Sequence, residues 1–281
     1  MRSGGSSKRK RKRRGVADPF GALPDEMVNH VLSYLPSREA VKSSLLSRRW
    51  RHLWRSTPAI RVTGKGNDFR LFVSSLMCHR DATPLRLFEI NADLLIPHEH
   101  PYDNDPEFTD DWRGEVDRHL DMWVNLALSA KCCARSLTVR LAELLAPWRP
   151  RRPLGVFASP HLTRIHLEAV HLVDAQLDFS CCPALLRLSL VRCRLEGDAL
   201  VSPSLERLAI DDCNSEIGGC PEMPDEMLHT SLSTASLRFL ELSKNYDARQ
   251  FLEMMPWLTG DNIRYTDDND TEYYSRMDGE G

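Results

Sequence analysis

The chain has 281 residues, 42% of them hydrophobic and 27% charged, an ordinary globular composition with length for about two domains of the usual ~150 residues. Its eight cysteines are too sparse for a secreted disulfide scaffold, and no apolar run approaches the ~20 residues of a membrane helix. The net charge of −3 hides an asymmetry, because the start of the chain is strongly basic and its end acidic.

Within residues 1–18, Lys8, Arg9, Lys10, Arg11, Lys12, Arg13 and Arg14 form an unbroken cationic run. Such residues repel one another and stay solvated, open to an acidic groove or to phosphates. The run reads as a nuclear-import signal, which places the protein in the nucleus, with the cytoplasm as a second compartment. It lacks the interleaved aromatics that stack on bases, which argues against nucleic acid as a partner. No apolar secretory stretch accompanies it, so the thiols are expected to stay reduced.

Residues 19–58 read as a small helical module. Pro24 suits a first helical position, Asp25 and Glu26 complement the positive helix end, and Val28, Val31, Leu32 and Leu35 share one face before Pro36 stops the helix. Ser37 is expected to cap a second helix through Ala40 and Val41, and Ser47 a third on which Trp50, Leu53 and Trp54 align. Three helices in so short a segment bury their apolar surface poorly and lean on another surface.

The string LPDEMVNHVLSYLPSREAVKSSLLSRRWRHLW resembles the F-box motif along its length. The opening Leu-Pro, the helix ending in Leu-Pro and the Ser-Arg-Arg-Trp-Arg element occur together and in order. The resemblance implies a substrate receptor of a Skp–cullin–F-box ubiquitin ligase, with a Skp-type adaptor and, through it, a cullin as partners. Carried over by position, Leu23 and Pro24 start the docking surface, and Leu32, Leu35, Leu45, Leu46 and Trp50 contribute to it, some of them as internal core. A few large apolar anchors in a helical groove would then dominate affinity.

Residues 59–84 read as a linker with a helix, and residues 85–245 as a repeat domain. An L-x-x-L-x-L pattern recurs at Leu162/Ile165/Leu167, Leu185/Leu188/Leu190, Leu205/Leu208/Ile210 and Leu237/Leu240/Leu242, with weaker copies at Leu85/Phe88/Ile90 and Ala134/Leu137/Val139. Each L-x-L core is a period-two strand whose apolar side chains need stacked neighbours to bury them. Between the weak copies, Ile96 to Asp110 reads as an exposed loop. Trp112 to Ala130 reads as a helix with Val116, Leu120, Trp123, Val124 and Leu128 on one stripe.

Cys193, Cys213 and Asn245 stand three residues past the last apolar residue of their copies, where a leucine-rich repeat takes Asn or Cys. A structural role is therefore expected for them. Cys132-Cys133 and Cys181-Cys182 lack C-x-x-C spacing, Cys78 and Cys220 lack histidine partners, and no metal is expected. His98-Glu99-His100 reads as solvated, and Asp267-Asp268-Asn269-Asp270 lacks the glycine and distant glutamate of a calcium loop. Residues 246–281 read as an acidic, mobile tail.

Aligning the copies gives three columns of alternating residues: Arg164, Arg187 and Arg207; His166, Ser189 and Ala209; Glu168, Val191 and Asp211. The three arginines, with His166, are the candidate substrate-binding residues, since guanidinium pairs with carboxylate or phosphate.

The order of F-box, helix and phrases such as FASPHLTRIHLEAVHL and CPALLRLSLVRCRL resembles the plant-type F-box/leucine-rich-repeat family over residues 20–245. The implied fold is α+β: a three-helix F-box module followed by a short, irregular α/β leucine-rich-repeat solenoid. No phosphate cradle, nucleophile elbow or zinc-protease motif occurs, so the chain is expected to be a non-catalytic receptor without a cofactor, holding an unknown protein substrate away from any membrane. A ligase-independent scaffold, or a truncated relative of family members that continue into a further C-terminal domain, is the alternative.

Overall fold

Alternation builds the repeat region, because the strands of three copies share one burial pattern in which each leucine or isoleucine turns inward and its neighbours turn out. The computed structural model describes residues 23–93, 106–142, 148–151, 157–173, 176–197, 199–213, 231–243 and 262–266. The basic run, His98-Glu99-His100, Cys220, Asn245 and the Asp267–Asp270 string lie outside these residues.

In chain order the elements are α1 (Asp25–Leu32), α2 (Ser37–Lys42), β1 (Ala59–Lys65), α3 (Gly66–His79), β2 (Leu87–Asp93), α4 (Pro106–Leu128), β3 (Ser136–Leu141), β4 (Arg164–Glu168), β5 (His171–Val173), β6 (Arg187–Val191), β7 (Arg194–Glu196), β8 (Ala199–Val201), β9 (Arg207–Asp211), β10 (Ser231–Ser233), β11 (Phe239–Ser243) and β12 (Ile263–Thr266). The main sheet has eight parallel strands in the order β1-β2-β3-β4-β6-β9-β11-β12. Two short parallel pairs, β5-β7 and β8-β10, run beside it. The architecture is thus a helical N-terminal module and a mixed α/β body.

Five expectations about the elements are corrected. The sheet starts at Ala59, inside the segment read as a linker, because Ile60 and Val62 alternate inward from β1. It ends at β12, inside the segment read as a mobile tail, where β12 pairs with β11. The stretch read as a loop to Asp110 turns helical at Pro106, where proline occupies the first helical position and its missing N–H costs nothing. Ser37 caps nothing: it is the first residue of α2, and its hydroxyl accepts the Arg61 backbone N–H at 3.0 Å. The expected third helix is replaced by turns and a 3₁₀ turn at Leu53–Ser56, although Ser47 Oγ does accept the Trp50 N–H at 3.3 Å.

The core lies between the sheet and α3 and α4. Trp123 on α4 is fully buried, its ring edge-on to Phe69 of α3 at 6.0 Å and its Nε1 donating to Ser74 Oγ at 3.1 Å. Gly64 lets β1 pass over Phe69, since a Cβ there would sit 2.7 Å from the ring. On the far side of α4, Asp121 accepts from Trp148 Nε1 and from the Arg151 backbone N–H, both at 3.2 Å. One turn earlier, burial raises the Asp117 carboxyl pKa to about 6, opposed by hydrogen bonding to the Arg149 backbone and by the charge of Arg151.

After each of β4, β6 and β9 the chain turns through a left-handed residue: Ala169 (φ 57°), Arg192 (φ 48°) and Asp212 (φ 47°). The next residues, Val170, Cys193 and Cys213, drop back into the core. The Cys193 thiol lies 3.4 Å from the Leu167 and Val191 carbonyls, and that of Cys213 lies 3.4 Å from those of Leu190 and Asp211. These cysteines therefore bond backbone groups at the turns, as expected from their place in the repeat.

Candidate interaction surfaces

Two surfaces carry the candidate residues. The first is the N-terminal module, whose small core is Val28, Leu32, Ala40 and Trp50, with Leu23, Leu53 and Trp54 packed against it. Leu32 is 1% and Trp50 8% exposed, so among the candidates these two pack in the module's interior. Leu23 is half-buried and its carbonyl accepts from the Arg49 guanidinium, which also pairs with Asp25 at 2.7 Å. Pro24 is exposed.

The remaining candidates lie open. Leu45 and Leu46 are 86% and 74% exposed, and Leu35 is exposed with them. Met27, Val31 and Tyr34 are exposed as well, so Val31 does not share the buried face of Val28 and Leu32. A signal for them existed. Met27, Val31 and Leu35 stand at i, i+4 and i+8, a second apolar stripe beside the Val28/Leu32 stripe that faces inward.

The opposite side of the module is tied to the sheet. Besides the Ser37–Arg61 bond, the Arg61 guanidinium reaches the Ser33 carbonyl, while within the module Asn29 Nδ2 donates to Ser56 Oγ at 3.0 Å. Buried Arg80 donates to the Thr57 carbonyl at 2.5 Å and the Thr83 carbonyl at 3.1 Å, tying the module's end to the segment after α3. Val41 and Trp54 pack on the main core.

The second surface is the outward-facing side of the sheet strands. Strand register pairs Arg164 with Arg187 and Arg187 with Arg207, and aligns His166-Ser189-Ala209 and Glu168-Val191-Asp211 in the same way. All three arginines are exposed, and the Arg207 guanidinium lies over the Phe239 ring at 4.5 Å. His166 is half-buried between its neighbours on the sheet face. Its Nδ1 meets Ser189 Oγ at 3.0 Å and its Nε2 lies 3.8 Å from Glu168, so it is committed within the sheet face.

Glu168 is the hub of an ion-pair chain. Arg61 lies 3.4 Å from Glu89, Arg140 lies 2.8 Å from Glu89 and 3.6 Å from Glu168, and Arg192 pairs with Glu168. The contact with His166, helped by the charges of Arg192 and Arg140 and opposed by burial, holds the Glu168 carboxyl below the usual carboxylate range. Arg140 occupies the third column in the weaker copy at Leu137/Val139 and could have been found by extending the alignment one strand. Arg192 sits in a turn, where no column predicts it. Among the described residues, no group of three or more His, Cys, Asp or Glu side chains gathers as metal ligands would, and no helix is long and apolar enough to cross a membrane.

Residues 20–59 match the F-box domain. The chain is similar to an F-box protein of Arabidopsis thaliana, 26% identical over 234 residues that cover 80% of this chain and 64% of that protein. It is also similar to an F-box/LRR-repeat protein of the same plant, 27% identical with 83% of this chain and 64% of the relative covered. A further F-box/LRR-repeat protein of Arabidopsis thaliana is 44% identical over 51 residues, 18% of this chain and 11% of its own length. The chain thus spans just under two thirds of the length of the two relatives it matches broadly.

Proposed function

Because the chain belongs with the plant F-box/leucine-rich-repeat proteins, we propose that it is a substrate-recognition subunit of a Skp–cullin–F-box ubiquitin ligase. F-box domains generally bind Skp-type adaptors. The F-box would dock the adaptor and through it a cullin, while the sheet, read as a stacked leucine-rich-repeat array, would hold a protein target on its open face. The receptor's contribution is position: a tethered target meets the charged conjugating enzyme at high effective concentration, and no receptor side chain takes part in bond making.

One observation carries this reading. The F-box spends one side on the sheet and leaves Met27, Val31, Leu35, Leu45 and Leu46 uncovered, a concentration of apolar surface on so small a module that is the mark of an interface. Replacing Leu45 and Leu46 together by Asp is expected to abolish capture of a purified Skp-type adaptor. The melting temperature should stay within about 2 °C of the parent, since exposed substitutions move stability little. Undiminished capture would sink the assignment.

A further inference from the structure

The outward face of the sheet treats its charges in two ways. Along the third column and its neighbours, Arg61, Arg140 and Arg192 each engage a carboxylate: Arg61 and Arg140 share Glu89, and Arg140 and Arg192 share Glu168. Four residues toward the strand starts, Arg164, Arg187 and Arg207 stand in direct register on β4, β6 and β9. Like charges directly opposite on neighbouring strands repel. Yet among the described residues no carboxylate pairs with these three. The face thus pairs Arg61, Arg140 and Arg192 with carboxylates and, among the described residues, leaves this row without one.

From this we infer that Arg164, Arg187 and Arg207 are the receptor's recognition row for an extended, carboxylate-rich segment of a target protein. The inference rests on the receptor reading and names the chemistry of its substrate. Three features support the choice of ligand. Neighbouring strands lie ~4.8 Å apart, so the row spreads its three charges over ~10 Å, too widely for one phosphate and suited to separate carboxylates. An extended peptide presents alternate side chains on one side every ~6.7 Å, a difference that long arginine stems take up, and each guanidinium can hold one carboxylate through two hydrogen bonds. Beside the row, Ser189 and Ala209 are small enough to let a peptide backbone approach the sheet. Arg207 is already steadied by its stacking on Phe239, which lowers the entropy lost on binding.

The test is fluorescence anisotropy with the purified full chain and a labelled nine-residue peptide bearing Glu at alternate positions. Binding is expected to weaken as salt rises, and at least 10-fold in the triple variant Arg164→Ala/Arg187→Ala/Arg207→Ala. The Arg-to-Lys triple variant, which keeps charge but loses the paired hydrogen bonds, should fall between the two. Equal binding by the parent and the alanine variant would overturn the proposal. Tighter binding of a peptide with a single phosphoserine and no glutamates would overturn the choice of carboxylate. Adaptor capture by the same proteins separates the two readings: peptide binding lost with capture intact concerns the row alone, whereas peptide binding intact in a chain that never captures adaptor removes the ligase reading and leaves the row.

Discussion

Asp117 shows how one side chain can tie stability to pH. Its folded-state pKa is raised to about 6, whereas an ordinary aspartate titrates at 3.8. Between those values the unfolded chain releases the proton that the folded chain retains, so stability falls as pH rises through this window, and the cost is complete above about 6. Asp117→Asn removes the cost. At ~1.4 kcal/mol per unit, and discounted because the side chain is only half-buried, the gain at pH 7.5 should be about 1–2 kcal/mol. Denaturant melts at pH 7.5 and 3.5 should show it at the first and none at the second; an equal gain at both would refute the ionisation argument. Nothing in the sequence marks Asp117, because its neighbours Arg149 and Arg151 reach it only through tertiary packing. Leu45 and Leu46 were readable as candidates from their position in the F-box string, but that position did not separate them from Leu32 and Trp50, which pack inside.

At the scale of elements, the left-handed turns after β4, β6 and β9 repeat without glycine. A left-handed residue with a Cβ costs ~1–2 kcal/mol, and Asp tolerates it better than most. Asp212 is exposed, so its backbone angle can be tested alone. Asp212→Val should lower stability by about 1–2 kcal/mol and Asp212→Gly should leave it level or slightly higher, measured by urea unfolding; equal values for the two would mean that the turn carries no strain. The L-x-x-L-x-L copies gave the register of β4, β6, β9 and β11 to the residue, because a period of two leaves no freedom once the inward face is known. β1 and β12 escaped because their apolar residues are few and not leucine. The start of α4 escaped because its first turns, Pro-Glu-Phe-Thr-Asp-Asp, carry no apolar stripe and open on a residue that reads as a breaker.

For the molecule as a whole, the placement of the F-box against the sheet was not legible, because it depends on Ser33, Ser37 and Arg80, small or polar residues whose partners lie more than twenty positions away. The Arg61 N–H, on the side of β1 away from β2, is met by Ser37. The F-box thereby lies along the outer edge of the first strand, which would otherwise offer unpaired backbone groups to another chain. A chain lacking residues 1–58 should therefore self-associate in light scattering, whereas the Leu45→Asp/Leu46→Asp protein should stay monodisperse. A monodisperse shortened chain would show that the edge needs no cover.

In the proposed receptor role, that shield also governs how decoys should be made. Amputating the amino-terminal module to sequester targets away from the ligase would strip a seam that the remainder needs for solubility, and sticky aggregates would masquerade as captured clients. In the proposed receptor role, a decoy that keeps the module and carries Leu45→Asp and Leu46→Asp would sever the link to the ligase and leave that seam closed.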